Sequence, residues 1–180
     1  MKQNIVLVGF MGSGKSHIGR KLASRLHWQF VDTDRRLERL VGMTIADYYE
    51  TVGTDVFREK EYNILQQVSR YHEAVISFGG NFPLSKKNLR LLQNHGYIVA
   101  LYAQPTRIVE RVSRRVGKRP TVDYEHLDEF VEKMGKQWEH VYPHCDFAID
   151  TTHGGANQIV DKIVAHLAES HVEFVSRETH

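Results

Sequence analysis

A chain of 180 residues with 24 Lys+Arg against 22 Asp+Glu has room for one full hydrophobic core. Its net charge of +2 is too small to argue for nucleic acid or a membrane surface as partner, which leaves small molecules as the expected ligands. The single cysteine, Cys145, excludes an internal disulfide, and neither a basic leader with an apolar core nor a membrane-length apolar run is present, so a cytoplasmic location is expected. Residues 1–168 read as one domain and the polar residues 169–180 as a frayed tail.

The first predicted strand, Ile5 to Val8, runs into Gly9-Phe10-Met11-Gly12-Ser13-Gly14-Lys15-Ser16, which fills every specified position of the pattern G-x-x-x-x-G-K-[ST]. Small residues here let successive backbone N–H groups converge on a phosphate. Lys15 is placed to reach the β- and γ-phosphates and the Ser16 hydroxyl to bind Mg²⁺, a cation that takes oxygen ligands. Lys15 to Leu26 repeats Ile18, Leu22 and Leu26 at helical spacing, so the loop stands between a strand and a helix, where a phosphate can sit on the helix N-terminus.

Trp28 to Asp32 reads as a second strand, followed by Thr33 as a helix cap before Asp34 to Leu40. Met43 to Tyr71 is helical in pattern with breaks at Gly42 and Gly53, and Phe57, Tyr62, Leu65 and Val68 are its candidate core positions. A third strand, Ala74 to Phe78, ends in Gly79-Gly80; Pro83-Leu84-Ser85 opens a helix, and Tyr97 to Tyr102 is a fourth strand. Pro105 to Arg115 is helical, and Arg114 to Pro120 then gathers four cations between Gly and Pro breaks, the composition of a mobile lid over phosphates or of a solvated basic loop. A helix over Leu127 to Trp138, a short strand over Phe147 to Ile149 and a helix over Asn157 to Leu167 complete the chain. Strands alternating with helices throughout call for a parallel sheet with helices on both faces.

Asp32 and Asp34 fall where a strand's C-terminal end meets a loop, the edge at which open parallel sheets bind ligands. Two carboxylates beside a phosphate loop suit a kinase: one near Mg²⁺, one to take the acceptor's proton. Arg58 is either a surface cation or a fork for a substrate carboxylate, and Gly79-Gly80 either a plain turn or a place of close backbone approach to a ligand. The 11 histidines show no metal-cage spacing and are read as surface residues.

Together these segments resemble the shikimate kinase family, of the nucleoside-monophosphate-kinase-like P-loop group. Ile5 to Ser16 resembles its first strand and phosphate loop, Val31-Asp32-Thr33-Asp34 its D-T-D segment, and Gly42 to Asp47, Gly53 and Phe57-Arg58-Glu59 its shikimate-binding helices. Ile76 to Gly80 is similar to the strand leading into its triple glycine, and Arg119-Pro120 to its lid. The resemblance implies an α/β fold with a five-stranded parallel sheet of order 2-3-1-4-5, substrate-binding helices over about 33–61 and a lid over about 112–124. It implies ATP held by Gly12, Ser13, Gly14, Lys15, Ser16, His17 and Arg119, and Mg²⁺ by Ser16 with Asp32 nearby. Lys15, Asp34 and Arg119 take the catalytic roles, while Asp34, Arg58, Gly79, Gly80 and the residue at 137 hold the acceptor. A monomer that phosphorylates a hydroxyl of shikimate, on the route to aromatic amino acids, is the implied protein.

Two departures bear on the acceptor. Asn81 stands where the family has a third glycine, and Gln137 where it has a second carboxylate-binding arginine, with Val141 in place of a tyrosine. A neutral amide supplies no net charge, so the expected cost is about ten- to a hundredfold in acceptor affinity unless Lys133 or Lys136 compensates. A kinase for another polyol acid such as gluconate, or a nucleotide-binding regulatory module without transfer chemistry, are the alternatives.

Overall fold

The computed structural model describes residues 2–117 and 119–174. Five strands, β1 (Asn4–Val8), β2 (Gln29–Asp32), β3 (Ala74–Ser77), β4 (Gly96–Tyr102) and β5 (Phe147–Asp150), form one sheet in the order β2-β3-β1-β4-β5, every neighbouring pair parallel. Seven α-helices, α1 (Lys15–Leu26), α2 (Thr33–Val41), α3 (Ile45–Val68), α4 (Lys86–His95), α5 (Pro105–Ser113), α6 (Leu127–Glu139) and α7 (Ala156–Glu169), cover it among the described residues. Both the fold class and the strand order expected from the sequence are present.

Alternation along the central strands divides the core in two. Ile5 and Leu7 of β1, with Val75, Val99 and Leu101, face α1 and α7 and meet Ile18, Leu22, Ile159 and Ile163. Val6 and Val8, with Ile76, Ile98 and Ala100, face the opposite way onto Phe57, Ile64, Leu65, Leu92, Ile108 and Trp138. The inner strands β1, β3 and β4 are buried on both faces and therefore read as continuous apolar runs, whereas the edge strands β2 and β5 are not.

Four local details differ from the expectations. Asp32, not Thr33, caps α2: its Oδ1 accepts from the backbone N–H of Asp34 at 3.1 Å and of Arg35 at 3.3 Å. The Thr33 hydroxyl turns inward, accepting from the Gly79 N–H at 3.1 Å and donating to the Ser77 carbonyl at 3.3 Å. The break expected at Gly53 is present, a kink in α3 with φ at 77°, whereas Tyr62 on that helix is only half-buried rather than a core residue. His166 is not a free surface residue, since its ring stacks on Phe147 at 3.7 Å and bonds the Tyr97 hydroxyl. Nor is the start of the tail frayed: Val172 and Phe174 pack on the α1/α7 side, with Phe174 edge-on to Trp28 at 5.0 Å and bridged to Lys2. Residues 175–180 and Lys118 of the basic run lie outside the described residues. Among the described residues no helix is long and apolar enough to cross a membrane.

Candidate active site

The C-terminal ends of β1, β2 and β3 open onto a cavity of about 570 Å³. At its floor, the loop after β1 enters α1 through Gly14, whose φ of 96° a side chain would strain. Gly14 makes no side-chain cap and α1 has no acidic residue in its first turn, so the positive end of the helix stands open to an anion. Lys15 is buried and curls back, donating to the Gly9 carbonyl at 2.7 Å and the Phe10 carbonyl at 3.2 Å. Burial, then the nearby Arg119 guanidinium, push its ammonium down to about 7, and only the Asp34 and Asp32 carboxylates oppose them. An entering phosphate would return the countercharge that this amine lacks.

Ser16 donates to Asp32 Oδ2 at 2.8 Å and lies 3.5 Å from the Ser77 hydroxyl. Two hydroxyls and a carboxylate converging beside the phosphate loop form an all-oxygen donor set, which fits Mg²⁺. Asp32 thus has two roles, one oxygen for the α2 N-terminus and one for Ser16.

Asp34 stands in the first turn of α2, its carboxyl raised to about 6, first by burial and then by the Asp32 charge, with Lys15 and Arg119 acting against the shift. Gly79 is what lets Asp34 in: a Cβ there would lie 2.4 Å from Asp34 Oδ1. Gly80 does the same for the phosphate loop, since its Cβ would fall 2.8 Å from Lys15 Nζ and equally near Gly9 O and Met11 N. The glycine pair therefore makes room for the protein's own Asp34 and Lys15.

The basic run closes one side. Arg119, Arg114 and Arg115 line the cavity, as do Arg35, Glu38 and Ile45 from the segment expected to bind substrate, and Arg111 and Arg20, which were assigned no site role from sequence. Arg111 ties the phosphate loop to the far edge of the sheet: it donates to the Gly12 carbonyl at 2.9 Å and the Thr151 carbonyl at 2.7 Å, while the Thr151 hydroxyl reaches the Ser13 carbonyl at 2.8 Å. Spacing in the sequence gives no sign of this tie across 40 residues.

Gly12, Gly14, Lys15, Ser16, His17, Asp32, Asp34, Gly79, Gly80 and Arg119 all line the cavity. Ser13 does not; it is buried beneath the loop. Two of the expected acceptor residues are also absent from the lining. Arg58 is exposed and rests its guanidinium over the Phe82 ring at 5.1 Å, and Gln137 is exposed on α6, one residue before the buried Trp138. Helical geometry explains the second case, because neighbouring positions point about 100° apart and Trp138 takes the inward one. Lys136 does not substitute for it, being ion-paired to Glu132 beside a separate, largely apolar cavity of about 300 Å³ between α5 and α6. Sequence reasoning also passed over Glu61, buried on α3 and pushed up to about 8, first by burial and then by the Asp34 charge, against the pull of Arg58.

A family model described as shikimate kinase matches residues 11–168. The shikimate kinase of Pelotomaculum thermopropionicum is 36% identical over 167 residues, covering 93% of this chain and 96% of its own. Among solved structures, the shikimate kinase from Acinetobacter baumannii in complex with shikimate superposes with a TM-score of 0.89 at 29% identity, covering 96% of this chain and 97% of its own. A gluconokinase from Sinorhizobium meliloti, at TM-score 0.63 and 19% identity over 93% of each chain, shares the fold alone.

Proposed function

The chain belongs to the shikimate kinase family, and from that premise we propose that it transfers the γ-phosphoryl group of ATP to a ring hydroxyl of shikimate, giving shikimate 3-phosphate and ADP. The observation that carries the reading is the meeting of Lys15, Arg119, Asp32 and Asp34 in one cavity, phosphate-binding cations and carboxylates within electrostatic reach of one another. Catalysis of phosphoryl transfer is mostly positioning and charge stabilisation, and these are the groups it needs. Ser16 and Asp32 would hold Mg²⁺, which supplies charge neutralisation at the phosphates when bound. Lys15 leaves the Gly9 and Phe10 carbonyls for the phosphate oxygens, and Arg119 closes over them from the basic run, residues 112–124 acting as the lid. The acceptor hydroxyl oxygen bonds to the γ-phosphorus as the bond to the β–γ bridging oxygen breaks; ADP leaves, and the hydroxyl proton passes to Asp34. A carboxyl whose affinity for protons is raised to about 6 is a better base for this than an ordinary aspartate. The protein is read as a cytoplasmic monomer.

One observation favours a second reading. Neither Arg58 nor Gln137 lines the cavity, so the two-sided grip on an acceptor carboxylate is not assembled, and a different polyhydroxy acid would fit the cationic lining as well. ADP release measured with ATP and Mg²⁺ against shikimate, quinate, gluconate and no acceptor separates the two. Shikimate-dependent release is expected; release with gluconate alone selects the second reading.

A further inference from the structure

We propose that Asn81 is a specificity-determining residue whose side-chain amide donates a hydrogen bond to an oxygen of the acceptor; this rests on the kinase reading above. Asn81 is 3% exposed, lines the same cavity as Asp34, Gly79, Gly80 and Arg119, and its Nδ2 is buried with no hydrogen-bond partner. Almost every buried amide in a folded protein is bonded, because leaving a donor unpaired forfeits its hydration for nothing. A second donor of the same cavity, Arg119 Nε, is buried and unpaired in the same way. Two orphaned donors on one cavity describe a site that lacks its ligand's oxygens.

Asn81 also sits where the lid meets the glycine segment, for its backbone carbonyl accepts from the Thr121 hydroxyl at 3.3 Å. Glycine at this position offers no side-chain donor, whereas Asn81 adds one beside the cavity-lining pair Gly79-Gly80. With Arg58 and Gln137 outside the cavity, this amide supplies acceptor recognition from a different wall.

The test compares wild type with Asn81→Ala and Asn81→Asp in thermal unfolding and in steady-state kinetics over the same acceptor panel. Removing an orphaned donor should raise the Tm of the ligand-free Ala variant by about 2–4 °C. The acceptor KM of that variant should rise roughly tenfold, the loss of one hydrogen bond, with the ATP KM unchanged. Against deoxy or carboxyl-esterified acceptor analogues the penalty should vanish for the one that lacks the partner oxygen, which identifies it. Asn81→Asp keeps the shape and reverses the donor, so it should bind the acceptor no better than Ala. A lowered Tm with unchanged acceptor KM would make Asn81 a structural residue and overturn the proposal, as would a raised Tm with unchanged KM. If gluconate rather than shikimate is turned over, the same KM comparison is read on gluconate, so the acceptor's identity can fail while Asn81 stands. Thermal shifts showing that no acceptor binds wild type would overturn both.

Discussion

The two halves of the cavity are built differently. On the nucleotide side, each group is fixed by backbone: Lys15 on two carbonyls, Gly14 at the helix start, and the Gly12 and Ser13 carbonyls tied by Arg111 and Thr151. On the acceptor side, Arg58 and Gln137, expected to grip a carboxylate, are exposed, and the buried polar groups there are Asn81, whose amide is unpaired, and Glu61, which holds its proton more tightly than usual. A loop that binds the same triphosphate in every kinase of this design can be rigid and local in sequence. The acceptor site proposed here would draw on α2, α3, the glycine segment and the basic run, and so has more ways to change.

The sharpest way to break the contrast is at Lys15. Lys15→Ala should leave the fold intact and lower kcat/KM by more than about 10²-fold, since the amine is the loop's own charge for the phosphates. Near wild-type turnover in an ADP-release assay would contradict the nucleotide half outright. Asp34→Asn should lower kcat by about 10²-fold or more while ATP affinity, read by nucleotide titration, holds. A loss confined to ATP affinity would move Asp34 from the acceptor to the metal.

Glu61 sharpens the comparison through pH. Its carboxyl in the folded protein is raised to about 8 from an ordinary value near 4.5, so between those limits the folded protein keeps a proton that the unfolded chain gives up. The contribution of Glu61 to wild-type stability should therefore fall as pH rises from about 5 to 8 and level off above. Glu61→Gln removes that slope, and in urea unfolding the variant should gain on wild type across this window by more than about 1 kcal/mol, one pKa unit's worth. Parallel profiles would show that Glu61 ionises freely. The smallest effect is expected at Gln137: facing solvent beside the buried Trp138, its change to Arg should alter the shikimate KM by less than about threefold. A tenfold fall would mean that α6 turns this position inward when the acceptor binds.

What was legible in the sequence follows the same division. The apolar runs of β1, β3 and β4 and the spacing of Ile18, Leu22 and Ile159, Ile163 carry the sheet and its α1/α7 layer, because burial on both faces leaves a pattern within a few residues. Gly9 to Ser16 carries the phosphate site for the same reason: one short segment supplies both loop and helix start. Arg111 reaches Gly12 across 99 positions and Thr151 across 40, and Glu61 is an ordinary helical glutamate until the fold buries it beside Asp34. The facing of Gln137 is not recoverable from its position along the chain, since one residue of helical phase decides between cavity and solvent.

The most direct test of the account is the product itself. Purified protein incubated with γ-labelled ATP, Mg²⁺ and shikimate should pass the label to shikimate, with ADP formed in equal amount and both slowed by more than about 10²-fold in the Lys15→Ala variant. Label released only as inorganic phosphate, at a rate that shikimate does not change, would contradict it.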